Sequence, residues 1–171
     1  MDDFKGTLDW DAVYWEYMPR IYNYFRYRVG DDALAEDLTA NTFVKAWKAR
    51  NSYDRTRGAI STWLLTIARN TATDYYRRQR ENLSLENVTL PIEDDRPVEE
   101  SLELAQDFAQ LRDLLEQLSA RDRELIALKY GIGMTNRAVA KLLGVSESSV
   151  GTALYRAVKW LRGAWEGTPH E

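Results

Sequence analysis

The sequence contains no cysteine. That absence excludes a disulfide framework, a thiolate zinc site and a thiol redox switch. Proline is scarce: Pro19, Pro91, Pro97 and Pro169 are the four in 171 residues. With few helix breakers, and no run alternating like a half-buried strand, the chain reads as helical almost throughout. No stretch of about twenty apolar residues is present, so no membrane span is offered. The first ten residues, MDDFKGTLDW, are acidic and lack an apolar h-region, which argues against a secretory signal. A cytoplasmic protein fits these features. The one histidine, His170, lies in the terminal tail and is expected to be a bystander. No catalytic constellation is visible, and no enzyme activity, cofactor or metal is expected.

The chain is 44% hydrophobic and 29% charged, enough apolar content for real cores. Its length suits one domain or two small ones. The net charge of −4 hides a strong asymmetry. Residues 1–44 carry four basic and nine acidic groups, net −5. Residues 45–80 carry nine basic and two acidic groups, net +7. Residues 81–104 reverse this, with one basic and eight acidic groups, net −7. Residues 105–171 are near balance, with nine basic and eight acidic groups, net +1.

The segment 81–102, which begins ENLSLENVTLPIEDDRPVEE, is acidic, holds two prolines and has weak periodicity. It reads as a linker. The resulting architecture is all-α: a helical domain over 8–80, an acidic flexible linker over 81–102, and a helical domain over 103–165.

Residues 31–50 read as one helix. At 100° per residue Leu34 and Leu38 point one way, and Ala40, Phe43 and Trp47 point nearly opposite. A helix apolar on two sides is either enclosed in its own core or offers one side to a partner. Residues 60–80 form a second helix, with Leu65, Ala68, Ala72 and Tyr76 as its core stripe. The opposite side carries Trp63, Ile67, Asn70, Asp74, Arg77 and Arg78, and Arg69 and Arg80 add charge nearby. The preceding loop NSYDRTRG brings Tyr53, Arg55 and Arg57. Aromatic and basic side chains on one surface suit unstacked nucleic acid, because bases stack on rings while arginines hold phosphates. A solvated charged face with one half-buried tryptophan would show the same pattern.

The stretch AVAKLLGVSESSVGTALYRAV, residues 138–158, has the spacing of a helix-turn-helix. The small Ala140 lets two helices approach, Gly144 permits a left-handed turn, and Val150 seats the second helix on the first. Ser146 suits an N-cap. On the second helix Val150, Leu154, Ala157 and Leu161 form the buried stripe. Ser148, Thr152, Tyr155 and Lys159 form the exposed one, with Ser149 and Arg156 beside it. Gly151 and Ala153 offer nothing polar, so recognition by this helix alone should be weak. An ordinary helical hairpin remains open on spacing alone.

Together these motifs resemble the bacterial RNA polymerase sigma factors of the extracytoplasmic-function (ECF) group, in the sigma-70 family. DDALAEDLTANTFVKAWKA and YDRTRGAISTWLLTIARNTATDYYRRQR look like region 2, and LSARDRELIALKYGIGMTNRAVAKLLGVSESSVGTALYRAVKWLR looks like region 4. The resemblance implies a protein that binds core polymerase, directs it to promoters and helps open DNA. It implies docking of the β′ coiled coil on Leu34, Asp37, Leu38, Asn41 and Thr42, with the β flap as a further core contact. It implies capture of a flipped minus-ten base near Tyr53, Trp63, Ile67 and Asn70, with Asp74, Arg77 and Arg78 beside the strand. At the minus-thirty-five element it implies contacts from Lys129, Ser148, Ser149, Thr152, Tyr155 and Arg156. An anti-sigma factor is a further partner it suggests. This sequence departs from the family at Gly151, Ala153 and Val158, where Lys or Arg is usual, and at Ala40-Asn41, where Gln-Glu or Gln-Asp is usual. No added C-terminal regulatory domain is expected. Two rivals remain: a helix-turn-helix regulator acting without polymerase, and a helical protein that sequesters a transcription partner.

Overall fold

The computed structural model describes residues 8–83 and 102–167. Among them the chain forms seven α-helices and no strand.

Helix α1 (Trp10–Val29) starts on Asp9, whose carboxylate accepts from the backbone N–H of Asp11 and Ala12 at 3.1 and 3.2 Å. It stops at Gly30, which takes a left-handed φ of 70° that a residue with a Cβ resists. Helix α2 (Asp32–Lys48) restarts at once, with the Asp31 side chain accepting from Leu34 N–H at 2.7 Å. A 3-10 turn at Arg50–Ser52 and a loop lead into α3 (Ile60–Leu83). Inside this half Val13, Ile21, Tyr24 and Phe25 of α1 are buried with Ala35, Leu38 and Ala46 of α2 and Leu64, Leu65, Ala68 and Ala72 of α3. Three threonines share this interior. Thr39, Thr42 and Thr71 each donate to the carbonyl four residues back, at 2.6, 2.7 and 2.9 Å. Bonding within the helix removes the cost of burying a bare hydroxyl.

In the other half α4 (Leu102–Glu116) and α5 (Ala120–Ile126) are joined by a corner that Arg123 closes. Its guanidinium donates to the carbonyls of Leu115 and Glu116 at 3.0 and 2.8 Å, in the last turn of α4, whose carbonyls lack the usual partner four residues on. A π-helical turn at Ala127–Gly131 follows, then α6 (Asn136–Leu143) and α7 (Glu147–Glu166). Gly144 ends α6 at φ 67°. Ser146 caps α7, its hydroxyl accepting from Ser149 N–H at 3.1 Å. The expected helix-turn-helix is therefore present, with Val139, Ala140, Val150, Leu154 and Ala157 buried.

One boundary differs from expectation. The linker was expected from residue 81, but α3 runs on to Leu83, since Glu81, Asn82 and Leu83 include no helix breaker. The rest of that segment, like His170, lies outside the described residues. More important, the two halves share one continuous apolar cluster. Helix α1 lies against α2 and α3 and also against α5 and the π-helical turn.

Candidate nucleic-acid and docking surfaces

The loop between α2 and α3 is drawn tight by its own polar groups. The Asp54 carboxylate accepts from the backbone N–H and the hydroxyl of Thr56 at 2.9 and 2.7 Å. The Tyr53 hydroxyl donates across the loop to the Gly58 carbonyl at 3.1 Å. This holds the Tyr53 ring 5.4 Å from that of Trp63. The expected pair therefore meets, and the cluster extends beyond it. Trp10 lies 6.0 Å from Trp63 and 6.1 Å from Trp47, and the Arg50 guanidinium lies 4.0 Å over the Trp47 ring. Arg50 also donates to the Trp47 carbonyl at 2.7 Å. Trp47 is 51% exposed, so this chain of rings ends at the surface. Trp10 and Arg50 were not legible as members of the site. The three-residue step from Trp47 to Arg50 was the available signal for Arg50, whereas Trp10 comes from a distant helix.

Along α3 the expected face is mixed in character. Trp63 and Ile67 are half-buried against the core, while Asn70, Arg77 and Arg78 are exposed. Asp74 is engaged by its neighbours: Lys45 Nζ donates to it at 3.2 Å and Arg77 lies 3.3 Å away. The hydrogen bond from Lys45 leads the effects that hold its carboxyl below the usual range, with the charges of Lys45, Arg77 and Arg78 adding to it. Asp74 thus ties α2 to α3 and positions two cations. Arg69, expected to add charge to this face, instead donates from Nε to Glu124 on α5 at 2.7 Å.

The docking set on α2 separates into two layers. Asp37 and Asn41 are exposed and Leu34 is half-buried. Leu38 and Thr42 are 3% and 0% exposed, so neither side chain is available to a partner, contrary to expectation. They face inward because α2 is held between α1 and α3. The accessible stripe, one residue per turn, is Asp37, Asn41, Val44 and Lys48, with Val44 52% exposed.

On the helix-turn-helix, Ser148, Ser149, Thr152, Tyr155 and Arg156 are all exposed, as expected. They border two concavities. One, of about 450 Å³, is lined by Ser148, Ser149, Thr152 and Arg156 with Arg121 and Asp122 of α5. The other, of about 550 Å³, brings Lys129 and Tyr155 together with Tyr130, Lys159 and Arg162 over a floor of Gly151, Leu154 and Val158. Arg121 and Arg162 were not legible as site residues. Arg121 lies on α5 and reaches the recognition helix through the fold, and Arg162 lies on α7 itself but beyond the turn motif.

Comparison with known proteins agrees with this geometry. Residues 13–82 match the Sigma-70 region 2 family and residues 108–161 match Sigma-70, region 4. The chain is 31% identical over 151 residues to the ECF RNA polymerase sigma factor BldN of Streptomyces coelicolor, covering 87% of this chain and 57% of BldN. It is 30% identical to the ECF RNA polymerase sigma factor SigL of Mycobacterium tuberculosis, covering 88% of this chain and 85% of SigL. The fold is similar to the sigma factor RpoE in its co-crystal structure with the anti-sigma factor NepR from Bartonella quintana. That match has a TM-score of 0.75 at 24% identity and covers 94% of this chain and 99% of RpoE.

Proposed function

This chain belongs to the ECF RNA polymerase sigma factors of the sigma-70 family, and from that premise we propose how its two halves divide promoter recognition. As a sigma factor it directs core RNA polymerase to promoters. The N-terminal half, residues 8–83, would receive the β′ coiled coil on Asp37, Asn41, Val44 and Lys48. It would hold the opened minus-ten strand on the aromatic and basic face. The C-terminal half, residues 102–167, would meet the β flap and read the minus-thirty-five element with α7.

The observation that carries this reading is the run of rings Tyr53, Trp63, Trp10 and Trp47, ending at Arg50, with Asn70, Arg77 and Arg78 exposed further along α3. Unstacking a base from duplex costs a few kcal/mol. Stacking on an aromatic side chain returns about 1–3 kcal/mol per base, and guanidinium planes add cation–π attraction. A pair of rings and a hydrogen-bonding Asn70 can therefore offset most of that cost at one flipped base. A duplex reader has no need of such a surface, and for this reason the polymerase-dependent role is favoured over a stand-alone helix-turn-helix regulator.

Recognition by α7 is expected to be modest. Ser148, Ser149 and Thr152 can reach base edges, and Arg121, Arg156, Lys159 and Arg162 supply phosphate contacts. An anti-sigma factor is proposed as a regulatory partner by analogy with the RpoE complex. The decisive experiment is run-off transcription with core polymerase and a promoter library. Transcripts from a defined promoter class are expected, and their absence would refute the assignment.

A further inference from the structure

The concavity that joins the π-helical turn to α7 holds more than a DNA backbone contact requires. Its volume is about 550 Å³. Pockets of roughly 300–1,000 Å³ take small organic ligands, whereas a single phosphate group needs a fraction of that space. Lys129, Lys159 and Arg162 line it, and none of its described lining residues is acidic. The concavity on the other flank of α7, in contrast, includes Asp122. Below the cations lies an apolar floor of Leu154, Val158 and the bare backbone of Gly151. Tyr130 and Tyr155 complete the rim, with the two residues 53% and 67% exposed.

Local backbone chemistry opens this space. Lys129 and Tyr130 lie in the turn Ala127–Gly131, where the Ile132 N–H donates to the Ala127 carbonyl five residues back at 3.1 Å. A π turn is rare and frequently marks a functional site. On α7, a Cβ at Gly151 would meet only Asn136 Nδ2, at 3.7 Å, so the space beyond that backbone is open. Asn136 lines the same concavity, and its Oδ1 is buried without a hydrogen-bond partner. An unpaired buried acceptor is costly, and a turn of the amide would offer it to an N–H of a ligand.

We propose that this concavity binds a nucleoside di- or triphosphate, which competes with promoter DNA for α7. The three cations hold the phosphates, and the base lies over the apolar floor against a tyrosine ring with its edge towards Asn136. Every base has a π-face, so rings and cations together select a nucleotide as a class. Duplex DNA can use the cations but keeps its bases stacked inside the helix, and so leaves the floor and Tyr130 unused. The competition rests on the assignment of α7 to the minus-thirty-five element, where Lys159 and Arg162 were given to DNA phosphates. Nucleotide and duplex must then lower each other's affinity by the same factor.

The test uses the full-length protein with GDP and ADP as probes, and guanosine, adenosine and inorganic pyrophosphate as controls. In calorimetric titration at least one diphosphate should bind saturably. It should bind about tenfold or more tighter than its nucleoside or pyrophosphate, each of which offers only part of the recognised chemistry. Tyr130→Ala should weaken the nucleotide about tenfold, as expected for the loss of one stacking ring. Gly151→Arg should abolish nucleotide binding by filling the floor. The same variant should bind a labelled minus-thirty-five duplex at least as tightly as wild type, because the added guanidinium suits a phosphate. Anisotropy at low salt, where phosphate contacts are strongest, measures that duplex. Saturating nucleotide should raise the apparent Kd of wild type for the duplex several-fold and leave that of Gly151→Arg unchanged. Tyr130→Ala decides the matter alone should Gly151→Arg lose helicity. Pyrophosphate binding as tightly as either nucleotide would overturn the proposal, since the concavity would then be a simple anion cleft. So would the failure of both diphosphates to bind, or nucleotide binding that leaves duplex affinity unaltered. A chain that binds the nucleotide yet neither binds the duplex nor programs core polymerase would refute the sigma-factor role instead, and the calorimetry would still establish the nucleotide site.

Discussion

Lys45 of α2 donates from Nζ to Asp74 of α3 at 3.2 Å, on the face assigned to single-stranded DNA. The pair holds an anion where the proposed ligand is a polyanion, and it also occupies a cation that the ligand could use. Both side chains are substantially exposed, so the pair adds little to stability. Its effect should appear in binding. Asp74→Asn is expected to increase affinity for a single-stranded promoter oligonucleotide. It should also steepen the dependence of log K on log salt by about 0.7 for each additional phosphate that the freed cations neutralise. Fluorescence anisotropy across a salt series measures both, and an unchanged slope would count against the strand lying along this face. The depressed carboxyl fixes the sign of the pH effect on folding. The small contribution of the pair is present above the usual aspartate value and is lost as pH falls through the lower, folded value.

Leu38 and Asp37 are neighbours in sequence with opposite roles. Leu38→Ala removes a buried side chain from between α1 and α3 and should cost about 2–5 kcal/mol of stability. Asp37→Arg changes an exposed position and should leave stability within about 0.5 kcal/mol. Its effect should be a weaker complex with core polymerase. Urea unfolding and a core-binding assay on both variants separate the two cases. Unaltered core affinity in Asp37→Arg would remove the outer stripe of α2 from the docking surface.

What was legible in the sequence, and what was not, follows from the range of the interactions. Gly144, Ser146 and Val150 act within one turn of each other, so their spacing was sufficient to place α6, the corner and α7. The pairing of Tyr53 with Trp63 also follows from a short loop. Trp10 joins Trp63 only because α1 folds back over α3, and no periodicity reports that. Arg69 looks like a surface cation on a helical wheel, but its partner Glu124 lies 55 residues further on. Leu38 and Thr42 misled for a related reason. The family resemblance implied them as contacts, but α2 is buried on two sides here, with threonines that bond to their own helix. The shared core of the two halves was hidden for the same reason. It depends on Gly131 meeting the backbone of α1, a contact between residues with no local pattern in common.

Gly151 is a departure from the family that the fold does not require. A Cβ there would meet only Asn136 Nδ2, at an ordinary 3.7 Å, and the residue lies within α7. Glycine in a helix interior costs about 0.5–1 kcal/mol relative to alanine. Gly151→Ala should therefore stabilise the protein by about that amount, read as a higher midpoint in urea. A loss of stability would mean that the close approach of α6 to α7 depends on the missing methyl.

Arg121 and Thr152 border the same concavity and should affect DNA binding in different ways. Arg121 lies on α5, outside the recognition helix, and its guanidinium suits a phosphate. Thr152 lies mid-face on α7, where a hydroxyl and a methyl group can meet base edges. Arg121→Ala should weaken binding of the polymerase complex about equally across promoter sequences and lower the salt slope by about one. Thr152→Ala should leave the salt slope unchanged and alter the ranking of minus-thirty-five sequences, by about 1–3 kcal/mol at the position it reads. Competition binding of the holoenzyme against a randomised minus-thirty-five library, at two salt concentrations, resolves both effects. Should Arg121→Ala alter sequence ranking while Thr152→Ala does not, the helix that enters the groove would be α5 rather than α7. Equal effects from both would mean that the concavity grips the DNA backbone and leaves sequence reading to other residues of α7, with Tyr155 and Lys159 the next positions along the exposed stripe.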